Sequence, residues 1–206
     1  MELIIITPEE TINNETEIIS NLFDNGLQRL HIRKPRFNTE EYRNYIAAID
    51  SKYHSHIVIH GSFELYEELK SVGIHLNSAA RDDKAIWNSI SHILPSDIST
   101  SFHSWLEIEN NKYPYGYVFI SPVFDSISKL DYKAGIDLKG AKEIKQKLAR
   151  QNKYCPSIIG LGGVGAPQVK ILQQYDFDGA AMLGTIWTAS DPVGKFKEVL
   201  EAVKYL

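Results

Sequence analysis

Cysteine is nearly absent: Cys155 is the only one in 206 residues, so neither an intrachain disulfide nor a thiolate metal cage within the chain is possible. It stands beside Pro156 at the start of an apolar run and reads as packing. No apolar run approaches the roughly 18 to 20 residues needed to span a bilayer. The opening MELIIITPEE lacks the basic segment and longer apolar stretch of a secretory signal, so a reduced, cytoplasmic compartment is expected. Positive charge is also short. With 22 basic and 26 acidic residues the formal net charge is −4, which excludes broad nucleic-acid affinity. Neither nucleic acid nor membrane is expected as a partner. Biased or linker-like stretches are missing. What remains is a chain 43% hydrophobic, enough for one buried core and short for two domains.

Short Ile/Val-rich runs alternate with segments of helical period. The expected strands are Leu3–Ile6, Leu27–Arg33, Ile57–His60, Gly73–Asn77, Asp97–Phe102, Gly116–Ser121, Pro156–Leu161 and Asp178–Leu183. The helices between and after them are Glu15–Asp24, Thr39–Asp50, Phe63–Ser71, a weak polar one near Asp82–Ser91, His103–Asn110, Asp137–Arg150, Ala166–Tyr175 and Pro192–Lys204. Gly26 and Gly73 stand where C-terminal caps are favoured, and Pro192 suits a first helical position. Eight β–α units with near-continuous apolar strands imply a parallel sheet covered by helices. The count of eight predicts a single-domain (β/α)₈ barrel over residues 1–206, near the ~200-residue lower limit of that fold. The fourth unit is the weakest, and its failure would favour an open doubly wound sheet.

Such barrels place their chemistry at the carboxyl ends of the strands, with phosphate held after strands seven and eight. Glycine turns stand at both places, Gly160-Leu161-Gly162-Gly163-Val164-Gly165 and Gly184-Thr185, where backbone N–H groups can approach an anion. A dinucleotide fingerprint is excluded, because the first turn comes near the end of the chain without a following unit. After strand six, Ser126, Ser128 and Lys129 supply hydroxyl and ammonium donors. His31 and Arg33 are two apart and share a face, while Leu30 and Ile32 face the helices. Arg33 is a candidate for a second anion. His60, His75 and His103 fall near the ends of strands three, four and five, and a histidine among them or His31 is a candidate for proton transfer. No Asp or Glu recurs beside them, so no metal site is assigned. His54, His56 and His92 read as surface residues, and Asp82 and Asp83 as loop carboxylates near the mouth.

With these segments placed, the chain resembles the thiamine phosphate synthase and TenI family over nearly its whole length. The carriers are Leu30-His31-Ile32-Arg33, Gly73-Ile74-His75-Leu76, Ser101-Phe102-His103-Ser104, Ser121-Pro122-Val123-Phe124-Asp125-Ser126-Ile127-Ser128-Lys129, Leu161-Gly162-Gly163-Val164 and Asp178-Gly179-Ala180-Ala181-Met182-Leu183-Gly184. The resemblance implies a thiazole phosphate on Gly162, Gly163, Gly184 and Thr185 with hydroxyls from Ser126 and Ser128. Arg33 and Lys129 match residues that hold diphosphate in the synthases. Those synthases join a pyrimidine diphosphate to the thiazole with Mg²⁺ assistance. Where they carry an Asn-Asp pair after strand three this chain has His60-Gly61, and after strand four it has Asn77-Ser78-Ala79-Ala80 with no acid before Asp82. The second basic position after the strand-two arginine is Pro35, with Lys34 adjacent.

TenI-type relatives instead tautomerise a thiazole carboxylate phosphate, using a histidine at the end of strand six that is Pro122 here. The resemblance therefore implies a thiazole phosphate site, TenI-like more than synthase-like, with His31, His60 or His103 as the catalytic histidine and Mg²⁺ only if coupling is retained. A divergent synthase, a non-catalytic thiazole phosphate binder and a barrel acting on sugar phosphates remain open beside it, as does a homo-oligomer.

Overall fold

A computed structural model describes residues 1–69, 73–125 and 134–204. Eight parallel strands close into a barrel in sequence order. They are β1 (Glu2–Ile6), β2 (Arg29–Ile32), β3 (Ile57–Ile59), β4 (Gly73–Leu76), β5 (Ile98–Phe102), β6 (Tyr117–Ile120), β7 (Ser157–Leu161) and β8 (Gly179–Met182). The helices are α1 (Glu15–Asp24), α2 (Thr39–Ala47), α3 (Leu65–Leu69), α4 (Ser78–Asp82), α5 (Lys84–Ser89), α6 (Trp105–Glu109), α7 (Gly140–Arg150), α8 (Ala166–Gln174), α9 (Gly184–Trp187) and α10 (Pro192–Lys204). The expected fold and all eight expected strands are present.

Alternation along the strands builds two apolar compartments. Leu3, Ile5, Leu30, Ile32, Ile57 and Ile59 point outward into the layer beneath the helices, all but sealed from solvent. Each such side chain contributes on the order of 1.5–3 kcal/mol by leaving water. Ile4, Ile6, Tyr117, Phe119, Ile159 and Ala181 point inward and fill the barrel axis, with Leu161 and Leu183 packed against them.

Local chemistry sets the helix ends. α2 opens with a capping box: the Asn38 side chain accepts from the Glu41 N–H, and the Glu41 carboxylate accepts from the Asn38 N–H. α1 closes in a Schellman motif, with Gly26 at φ +99°, its N–H donated to Phe23 O and the Leu27 N–H to Leu22 O. Gly73 opens the fourth strand as expected. An added Cβ there would meet Asp97 O at 3.0 Å and a Val58 methyl at 3.1 Å, so close packing in the barrel wall requires glycine at this position.

The fourth unit holds, but its expected helix is two short ones. The Asp83 carboxylate breaks the run by accepting from the Ala85 N–H as the cap of α5. α9 was not expected, being a single turn too short to show helical periodicity.

Candidate active site at the carboxyl ends of the strands

A cavity of about 420 Å³ opens at the carboxyl end of the barrel, lined by Ile6, Glu9, Arg33, His60, His75, Asn77, Ser78, Ser101, His103, Phe119, Ser121, Leu161, Gly162 and Leu183. Each strand delivers its inward-facing positions to this space. Register decides which meet: His31 lies beside Val58, and Val58 beside Gly73. His60 and His75, each two residues further on, therefore stand one pleat above His31.

The three imidazoles touch. His31 Nδ1 and His60 Nε2 are hydrogen-bonded at 2.9 Å, and the His60 and His75 rings stack with centroids 4.2 Å apart. His31 is wholly buried, and its Nε2 meets the Tyr117 hydroxyl at 2.5 Å. His75 lies between Ser99 Oγ, 2.9 Å from Nδ1, and Ser101 Oγ, 3.0 Å from Nε2. Ser99 Oγ also reaches Ile74 O at 3.3 Å. A serine donating to that carbonyl accepts from His75 Nδ1–H, which leaves the Nε2 lone pair on the cavity side. Burial holds all three imidazoles below the ordinary histidine range. The His75 charge adds to the effect on His31 and His60, and Arg33 to that on His75, which is lowered to about 3. Burial also pushes the Tyr117 phenol up to about 12, opposed by Arg29.

His103 stands apart, exposed at the rim. Its Nδ1 is 3.0 Å from Ser121 O, and a carbonyl only accepts, so Nδ1 carries the proton and Nε2 the lone pair. Arg33 reaches the cavity, but its Nη1 is ion-paired with Glu9 at 2.5 Å. Lys34 points elsewhere. It is fully buried, 2.8 Å from the Glu15 carboxylate, and donates also to Pro8 O and Glu10 O, so it does not replace the missing basic residue at Pro35. Asp82 and Asp83 do not line the cavity. Asp82 pairs with Arg81 while Asp83 caps α5. His54 is half-buried, its Nε2 between Ile46 O and Ile49 O, in place of the expected surface position.

The glycine turns adjoin the cavity. Gly162 and Gly163 have φ of +102° and +64°, a backbone that side chains other than glycine adopt at a cost. A Cβ on Gly163 would fall 2.2 Å from Asp125 O. Thr185 Oγ1 donates to Val164 O, tying the turn after β7 to the Gly184-Thr185 turn after β8. Ser126, Ser128 and Lys129 lie outside the described residues.

The lining does not suit Mg²⁺, which takes hard oxygen ligands, chiefly carboxylates. Among the described residues Glu9 is the one lining carboxylate, and a guanidinium already holds it. Imidazole nitrogens suit borderline metals instead, and His31, His60 and His75 place one ligand atom each within 4.8 Å of one another. His31 and Arg33 were legible from two-residue spacing. The Ser99/Ser101 and Tyr117 partners carried the same signal, same-face polar residues inside a barrel, and were missed.

A closed parallel barrel of eight strands, with a polar cavity at their carboxyl ends, places the chain in the class of (β/α)₈ proteins. Within that class the chain belongs to the thiamine monophosphate synthase family, whose profile matches residues 3–186. It is 22% identical over 188 residues to a thiamine-phosphate synthase of Desulfitobacterium hafniense, covering 89% of this chain and 86% of that one. To one of Clostridium novyi it is 23% identical over 211 residues, covering 95% of each. A thiamine phosphate pyrophosphorylase structure from Bacteroides thetaiotaomicron aligns with TM-score 0.75 and 29% identity over 98% of both chains.

Proposed function

We propose that this chain binds a phosphorylated thiazole in the cavity and moves a proton on it, a TenI-type tautomerisation in preference to Mg²⁺-dependent coupling. The carrying observation is the donor set: His60, His75 and His103 line the cavity, while its one carboxylate among the described residues is ion-paired. Those are groups for proton transfer and poor ones for holding a hard cation. The phosphate rests on the turn at Gly162 and Gly163 with Gly184 and Thr185 beside it. Ser126, Ser128 and Lys129 complete this seat by resemblance. Arg33 faces a second anionic group, the thiazole carboxylate, in exchange for Glu9.

His103 is the acid–base residue. Its Nδ1–H is committed to Ser121 O, so Nε2 takes a proton from the saturated ring carbon and, as imidazolium, delivers it to the exocyclic carbon of the side-chain double bond, which leaves the ring aromatic. One C–H bond breaks, one forms, and the double bond shifts between them with no change in oxidation level. Neutral His60 lines the floor. His31 has no surface open to a ligand and acts by positioning His60.

Incubation with the non-aromatic thiazole carboxylate phosphate, followed by proton NMR, tests this. Aromatisation well above the uncatalysed rate is expected, and His103→Gln is expected to lower it by about 10²–10⁴-fold while phosphate binding persists. No acceleration by the wild-type chain overturns the reaction. The family's profile and the relatives' names favour a second reading, divergent coupling. Thiamine phosphate formed from pyrimidine diphosphate, thiazole phosphate and Mg²⁺ above a no-enzyme control would establish that reading.

A further inference from the structure

The cluster at the cavity floor goes beyond what tautomerisation requires. We propose that His31, His60 and His75 form a site for a borderline divalent transition metal of the zinc class, with its open position facing the cavity.

Geometry carries the proposal. Three consecutive strands supply one imidazole each, with ligand atoms no more than 4.8 Å apart. In a tetrahedral zinc site with Zn–N of about 2.0–2.1 Å, ligand nitrogens sit roughly 3.3 Å apart. The head-on pair His31 Nδ1 and His60 Nε2, at 2.9 Å, holds one proton between two lone pairs where a metal ion would hold both. His75 Nε2 has one contact to release, Ser101 Oγ, and keeps Ser99 on Nδ1. Ligating histidines characteristically give their second ring nitrogen to an oxygen that fixes tautomer and orientation. Tyr117 on His31 and Ser99 on His75 occupy those places.

Charge is compatible with a cation. Of the two guanidiniums nearby, Arg29 is paired with Glu2 at 2.7 Å and Arg33 with Glu9 at 2.5 Å. Imidazole ligates in its neutral form. Three neutral nitrogens leave a bound dication uncompensated, so the fourth ligand is expected to be an anionic oxygen, from hydroxide or from a carboxylate or phosphate entering the cavity.

The test needs no thiazole, so its outcome is separate from that of the proposed reaction. Chain stripped with a chelator is dialysed against micromolar Zn²⁺ and its metal content measured. Co²⁺ loading is followed by visible absorption. About one equivalent of zinc per chain and the intense d–d bands of tetrahedral Co²⁺ are expected. His60→Gln, at the partly exposed member, is expected to abolish both with thermal melting showing a folded protein. Tyr117→Phe should weaken affinity about tenfold. His92→Gln at the surface should change neither. Background zinc in the wild-type chain overturns the proposal. So does zinc that survives both His60→Gln and His75→Gln, or octahedral Co²⁺ spectra unchanged by His60→Gln.

Discussion

At the residue scale, the buried pair of Lys34 and Glu15 shows how much a side chain's meaning depends on what surrounds it. Lys34 follows Arg33 at the end of a strand, adjacent to Pro35, where the family's synthases carry a second basic residue. In the fold its ammonium is sealed beneath α1, held by the Glu15 carboxylate and two carbonyls, and Glu15 in turn accepts from the Tyr45 hydroxyl. Removing one member leaves a charge buried without its counterpart. Lys34→Met is expected to cost about 3–5 kcal/mol in urea unfolding, whereas Lys34→Met with Glu15→Leu recovers most of that loss. Equal losses in the single and double variants would show that packing, not charge pairing, fixes this site. Tyr115 makes the opposite case. Its hydroxyl is buried without a partner among the described residues, so Tyr115→Phe is expected to leave stability unchanged or raise it by up to about 1 kcal/mol. A loss of more than that in the same titration would show a partner.

At the element scale, much of the architecture was legible because parallel strands buried on both faces read as near-continuous apolar runs. Ile57–Ile59 and Tyr117–Ile120 are short, yet β-branched and aromatic residues mark them. Helix boundaries were less legible. The Asp83 cap that divides α4 from α5 and the single turn of α9 leave no periodic signature. The site was legible strand by strand and not across strands. Spacing put His31 and Arg33 on one face, but the meeting of His31, His60 and His75 depends on register between β2, β3 and β4, which no one segment encodes. In the proposed function the turn after β7 seats the ligand phosphate. Gly163→Ala meets both the left-handed backbone, a strain of roughly 1–2 kcal/mol, and the overlap with Asp125 O. It is expected to weaken thiazole phosphate binding at least about tenfold while lowering stability by about 2 kcal/mol, read by ligand-dependent melting. Wild-type affinity in this variant would move the phosphate seat off the turn.

At the scale of the whole molecule, the barrel axis is unusual in carrying polar groups along its length. Glu2 and Arg29 lie toward the amino-terminal end, Tyr117 and His31 above them, and His60 and His75 at the cavity floor. Tyr117 and His31 are buried, and Arg29 and Arg33 stand close enough to oppose further positive charge. Folding therefore keeps three imidazoles neutral that bind protons freely in the unfolded chain near pH 6.5. A histidine whose folded value is depressed binds fewer protons folded than unfolded, so stability is full above pH 6.5 and falls as pH drops below it. For His75 the fall continues down to about pH 3. Each such histidine removes about 1.4 kcal/mol per pH unit, or roughly 2 kcal/mol between pH 6.5 and 5. Urea unfolding of the chelator-treated chain at pH 7, 6 and 5 is expected to lose stability along this slope. His75→Gln, which retains a side chain able to meet Ser99 and Ser101, should flatten it by about one histidine's share. An acid limb as steep in His75→Gln as in the wild type would place the proton-sensitive group outside the barrel axis.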